Sequence, residues 1–350
     1  MVFHINKLVM FLSMTLALAF TAIAQDPQSE PASEIAPPLS PGTVARVGDI
    51  PISEAEYFRY LGTVYAREPE GKIATTQELT ERVLMAAAAA TQVEVDESDV
   101  QDLAERLDAR ARTESGGSIG LVESLGAEES ELRHSLGLLA LQEKIIAVET
   151  GVSHPSDQQL RAWMENALSG FELQPAPLHD AVATRWHDGE ITRIQLGRRL
   201  YALLTPEDRA GVLTELIGIL LIRAATERAG LELTAEALAE EIARRDALVR
   251  NRDETSGISY ADMVKQMQNL TVEELISTPS FGAQVRLRLL VEQRWDETRL
   301  RSYFEDERAS FEQRFGPDIT FEAAQSALWR EVRQLSYRQL FSECRIVRSF

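Results

Sequence analysis

The stretch "GGSIG", Gly116 to Gly120, fits the G-x-S-x-G pattern, in which a strained strand-to-helix turn holds a serine nucleophile beside an oxyanion hole. That chemistry needs a strand before the serine and a helix after it. Here the charged helical run "DARARTE" comes before, so Ser118 reads as part of an interhelical loop. His134, His154, His179 and His187 are scattered, with no H-E-x-x-H and no spacing that sets two imidazoles on one helix face for a metal. There is no phosphate-cradling G-x-x-x-x-G-K-S/T loop and no dinucleotide fingerprint. Carboxylates lie beside arginines, as in "EALAEEIARRD" (236–246), where solvated i,i+4 pairing accounts for them. Cys344 is the only cysteine, which excludes an intrachain disulfide and a thiolate metal site. The sequence therefore assigns no catalytic, cofactor-binding or metal-binding residue, and no cofactor is expected.

Binding chemistry has one local candidate. "YADMVKQM" (260–267) sets Tyr260, Met263 and Met267 on one side of a helix at a broken junction. Flexible Met-rich faces suit a promiscuous binder, and these three residues are the candidate client-binding positions; gap-filling core is the competing reading. Trp163, Tyr303, Phe304 and Phe311 recur at matching places along the chain and read as core.

The elements that must position such residues show a repeat. "VARVGDIPIS" (44–53) alternates around a Gly-Asp reversal, then Ser53 and Glu56 make a capping box ahead of Tyr57, Tyr60, Leu61, Val64 and Tyr65 at helical spacing. "VATRWHDGEIT" (182–192) does the same around Asp188-Gly189, with Thr192 and Gln195 as the box and Leu196, Leu200, Leu203 and Leu204 as the stripe. "VEVDESDV" (93–100) matches "LELTAEAL" (231–238), with Asp96 and Thr234 as N-caps. "QLRAWMENALSGF" (159–171) matches "RLRSYFEDERASF" (299–311). The period is about 140 residues, which reads as an internal duplication. After the second copy, a helix with Phe321, Ala324, Leu328, Val332, Leu335 and Leu340 near one face leads to "CRIVRSF", a terminal strand expected to pair with one of the hairpins.

Length, 350 residues, allows a leader and two domains, and 44% hydrophobic with 26% charged residues is a globular composition. A formal net charge of −19 repels phosphate backbones and anionic lipid surfaces, so nucleic acid is not an expected partner. Residues 1–24 read as a signal peptide: Lys7, an apolar run, then Ala22-Ile23-Ala24, with cleavage expected between Ala24 and Gln25. No later stretch has spanning length, so no stable membrane insertion is expected after cleavage. Export to the periplasm follows, with secretion the alternative. Residues 25–43 are a Pro-rich disordered linker. Asn269-Leu270-Thr271 matches a glycosylation acceptor.

"VARVGDIPISEAEY" and "VATRWHDGEITRIQL" resemble the N-terminal hairpin and capped helix of SurA-type periplasmic chaperones and parvulin-associated foldases. "SDQQLRAWMENALSGF" (156–171) and "DETRLRSYFEDERASF" (296–311) resemble that family's "TxxELRxYYExNxxxF" segment. The resemblance implies a mainly α fold: two tandem SurA-N-like helical units, 44–176 and 180–350, each opened by a short β-hairpin, with a C-terminal helix and strand. In the family an isomerase domain usually follows the second motif. Neither "ELQPAPLHDAVA" nor "EQRFGPDITFEAA" has room for one. The resemblance thus implies an exported, ATP-independent chaperone-like protein that binds unfolded or partly folded exported chains through apolar surfaces, without catalysis. The alternatives are a cell-envelope assembly adaptor with one specific partner and a prolyl isomerase-related protein.

Overall fold

The computed structural model describes residues 39–114, 129–250 and 257–348. The signal segment with Ala24 and Gln25, most of the linker and the Ser118 loop lie outside these residues. In chain order the first elements are β1 (Thr43–Val47), β2 (Ile50–Ser53), α1 (Glu54–Val64), α2 (Pro69–Thr91), α3 (Glu97–Glu114), α4 (Glu129–Thr150) and α5 (Asp157–Leu168). Then come β3 (Gln174–Pro175), β4 (Val182–Trp186), β5 (Gly189–Thr192), α6 (Arg193–Leu203), α7 (Pro206–Arg228), α8 (Ala235–Arg250), α9 (Tyr260–Gln268) and α10 (Val272–Ile276). The described chain closes with α11 (Pro279–Arg294), α12 (Glu297–Asp306), α13 (Arg308–Phe315), α14 (Phe321–Ser342) and β6 (Ile346–Arg348). The fold is mainly helical with two β-hairpins, as the sequence pattern predicts; each hairpin is extended to a three-stranded sheet, the second by β3, which the pattern does not show.

The helix starts repeat because their cap chemistry repeats. Glu56 N–H donates to the Ser53 hydroxyl at 3.2 Å, and the Ser53 N–H donates to the Glu56 carboxylate at 3.0 Å. Thr192 and Gln195 make the same reciprocal pair at 3.2 and 2.9 Å. Asp96 caps α3 through the Asp99 N–H at 3.1 Å, and Thr234 caps α8 through the Ala237 N–H at 3.2 Å. Ser156 caps α5 and Asp296 caps α12 in the same way.

The sheets repeat as well. Their orders are β2-β1-β6 and β3-β4-β5, so each hairpin accepts a third strand on its first strand. The terminal strand β6 pairs with the first hairpin, Arg46 opposite Val347 and Ala45 opposite Arg348. β3 pairs with β4, Arg185 opposite Gln174 and Thr184 opposite Pro175. Arg46 and Arg185 lie equally far before their caps, so the two registers are equivalent. The backbone N–H of Glu54 donates to Gly42 O at 2.8 Å, and that of Arg193 donates to Ala181 O at 2.8 Å, again at matching places. One detail differs from the sequence reading. The second reversal falls on His187-Asp188, not Asp188-Gly189. Gly189 instead gives room to the Trp186 ring, which a Cβ would meet at 2.5 Å.

The chain resolves into two compact units, and these cut across the linear spans 44–176 and 180–350. Described residues up to 71, with 176–183 and 192–348, form one; 72–175 and 184–191 supply the other. In the first unit α1 and α6 lie antiparallel at near backbone contact. A Cβ on Gly62 would sit 2.1 Å from Arg193 O, and one on Gly197 would sit 1.8 Å from Phe58 O. Phe58 and Gly197 each lie five residues past their cap, so the two copies meet at equivalent positions, as a self-complementary pair does. Tyr57, Leu61, Leu196 and Leu200 are buried around this crossing. Each such side chain contributes roughly 1.5–3 kcal/mol of burial. One position of the expected stripes turns outward at the same place in both copies: Val64 and Leu203 are exposed, while Tyr65 is half-buried and Leu204 buried. Further on in this unit, α11 packs on α7, and α14 lies along both.

The second unit is built from α2 to α5. Leu84, Ala88, Leu141 and Ile145 form its centre with Trp163 and Met164 against them, and Leu103, Leu136 and Ala140 form a satellite cluster. Trp163 is partly buried, its indole N–H donating to Glu149 at 2.8 Å. The tip of the second hairpin belongs here. Arg82 stacks over Trp186 at 5.5 Å and donates to Glu190 O at 2.8 Å, while Phe171 meets Trp186 edge-on.

Candidate polypeptide-binding surface

Tyr260, Met263 and Met267 do share a side of α9, but that side turns inward. Tyr260 is 6% exposed and Val264 2%, in a core with Phe281 and Val285; Met263 packs against it and Met267 is half-buried. Tyr260 is also tied by polar contacts, its N–H donating to Asp246 at 2.8 Å and its hydroxyl accepting from Arg245 at 3.0 Å.

The nearby carboxylates correct one expectation. Glu241 of "EALAEEIARRD" is not a solvated face residue: it is 2% exposed and held by Arg244 at 2.6 Å, Arg245 at 2.7 Å and Arg288 at 3.1 Å. Burial works to raise its carboxyl pKa, but Arg244 and Arg245 outweigh that and hold it below the ordinary value. Period alone could not show this, because the third arginine comes from α11, far along the chain. The four described histidines are exposed: His187 is 95% accessible, and His134 reaches Glu81 only at 3.6 Å. Among the described residues no group of metal-ligating side chains comes together, and no helix is long and apolar enough to cross a membrane.

An exposed groove with apolar lining, which the sequence does not reveal, lies on α13 and α14. The core row of α14 is Phe321, Ala324, Leu328, Val332, Ser336 and Leu340. Helical spacing puts Leu335 near this row, but Ser336 takes the place four residues after Val332, and Leu335 turns outward, 37% exposed. Phe311 is fully buried beside Phe304, and α13 then ends at Gly316, leaving Phe315 stacked on Phe311 at 6.2 Å and 53% exposed. Phe315 and Leu335 share an open groove of about 240 Å³ with Arg314, Arg330, Glu331 and Arg338.

The groove's acid is already engaged. One Glu331 oxygen accepts from the Tyr303 hydroxyl at 3.0 Å and the other from Arg314 at 2.9 Å. Burial first, then that bond to Glu331, pushes the Tyr303 phenol up to about 12. Arg314 also stacks over Phe311 at 4.5 Å. Arg330 and Arg338 are exposed and make no hydrogen bond or ion pair among the described residues. The groove therefore offers an aromatic ring, an aliphatic side chain and two unpaired guanidinium groups. These are means of recognition, and covalent chemistry has no nucleophile–base pair to draw on there.

No protein-family model, no curated protein and no solved structure matches the chain.

Proposed function

We propose that the protein is an exported, ATP-independent chaperone-like protein that holds unfolded or partly folded polypeptides reversibly on exposed apolar helix surfaces. The observation that carries this reading is the groove in which Phe315 and Leu335 stand exposed side by side. Such apolar surface is kept in water at a cost and fits reversible hydrophobic capture. The hairpin, capped helix and "LRxYYExNxxxF"-like segments, each present twice, support the SurA-type resemblance. A net charge of −19 would keep a complex with an aggregating chain dispersed.

The test is light scattering by a chemically denatured protein diluted into buffer. A severalfold molar excess of this protein, without nucleotide, is expected to suppress the scattering. Scattering unchanged from a buffer control would end the holding reading. Recovery of one folded partner at fixed stoichiometry in a pull-down would replace it with an adaptor.

A further inference from the structure

We infer that the groove on α13 and α14 selects acidic polypeptide segments carrying an apolar anchor. This inference rests on the polypeptide-holding reading and names the kind of segment held. The argument is charge complementarity. Arg314 and Glu331 neutralise each other, so Arg330 and Arg338 leave the groove net positive on a chain whose net charge is −19. An exposed guanidinium without a partner is a ready fork for a carboxylate.

Spacing adds a length. Arg330 and Arg338 lie on one α14 stripe two turns apart, about 12 Å along the axis. An extended peptide advances about 3.3 Å per residue. Because side chains alternate, two carboxylates four residues apart share one face and would reach both arginines, with the side chain midway between them resting on Phe315 and Leu335. A basic segment with the same anchor meets like charge.

The probe is a fluorescent peptide with two glutamates set four residues apart about one phenylalanine, compared with its lysine counterpart by anisotropy on the full protein. The glutamate peptide is expected to bind at least about tenfold more tightly near 0.15 M salt, where the long-range field of the −19 chain is screened, with the difference shrinking toward 1 M salt. Arg330→Glu with Arg338→Glu should reverse the preference, and Phe315→Ser should weaken both peptides. All three side chains are exposed, so circular dichroism should be unchanged. Equal affinity for the two peptides, or a preference that survives the double arginine change, overturns the inference. If scattering is still suppressed in that case, the holding reading stands alone. Conversely, selective peptide binding without suppression of scattering sinks that reading and leaves the groove's selectivity intact. Binding that appears only after residues 25–38 are removed would assign the groove to the chain's own Asp26, Glu30 and Glu34 and overturn an external occupant.

Discussion

Arg193 is 1% exposed, an unusual place for a cation, and it is held there by three backbone carbonyls. Its guanidinium donates to Asp180 O at 2.9 Å, Gly62 O at 3.1 Å and Pro177 O at 2.8 Å. Burial first, then the nearby Arg67, brings its pKa down to about 10, so it stays charged at neutral pH. Arg193→Met would keep much of the volume but strip the guanidinium from Gly62 O and Asp180 O, while Pro177 O keeps the Asp180 N–H at 3.1 Å. A loss on the order of 3 kcal/mol is expected, read as a lower urea midpoint with an unchanged slope. A midpoint within error of the parent would show that the clamp is dispensable. Glu215 behaves oppositely. Burial pushes its carboxyl above the ordinary 4.5, an effect that the Tyr60 hydroxyl partly offsets. The folded state then binds more protons than the unfolded state between the unfolded value and the raised one. This contribution is fully present below about pH 4.5 and is lost as pH rises through the folded pKa. Glu215→Gln should remove that slope and raise stability at neutral pH. A pH–stability curve unaltered by the substitution would refute the assignment.

At the scale of elements, the crossing of α1 and α6 depends on two glycines. Gly197→Ala sets a methyl into Phe58 O, which is backbone and cannot swing aside, so the helices must part. A loss of about 1–3 kcal/mol or more is expected by calorimetry. Gly211 in α7 has open space where a methyl would project, with nothing within 4 Å, so Gly211→Ala should stabilise by up to about 1 kcal/mol. If both changes had the same small effect, helix propensity alone would explain them and the close approach would not. The sequence shows such features unevenly. The caps at Ser53, Thr192, Asp96 and Thr234 are legible because a cap is a bond between residues three apart. The hairpins are legible through their alternation. The role of Gly62 and Gly197 is not, because a close approach is defined by a helix well over a hundred residues away. Leu335 is misread by periodicity because a stripe at 3.6 residues per turn admits two neighbours, and only packing on α7 and α11 selects Ser336. Phe315 and the unpaired Arg330 and Arg338 escape the sequence for a related reason: the groove exists only once α13 ends beside α14.

For the whole molecule, the two copies are joined by more than a linker. In each sheet the hairpin is completed by a strand from outside it, and the last strand of the chain returns to the first hairpin. This closes a loop from residue 43 to residue 348 and ties the first described strand to the last. Replacing Val347 by proline removes a backbone donor from that pairing and should loosen the closing strand, seen as faster amide exchange at Arg46, which faces Val347, and at Gly48, whose N–H donates to Arg345 O at 2.8 Å. Unchanged exchange there would mean that the closing strand adds nothing. The groove proposed above is built on α13 and on α14, the helix that leads into this closing strand, so the strand pairing is the claim to test first. In a Cys344→Ser background, Arg46→Cys with Val347→Cys puts two thiols directly across β1 and β6, within the span a disulfide bridges. The account predicts a crosslink on mild oxidation, seen as a mobility shift reversed by reductant. A crosslink from Val347→Cys to Arg185→Cys in the second hairpin, and none to Arg46→Cys, would contradict it.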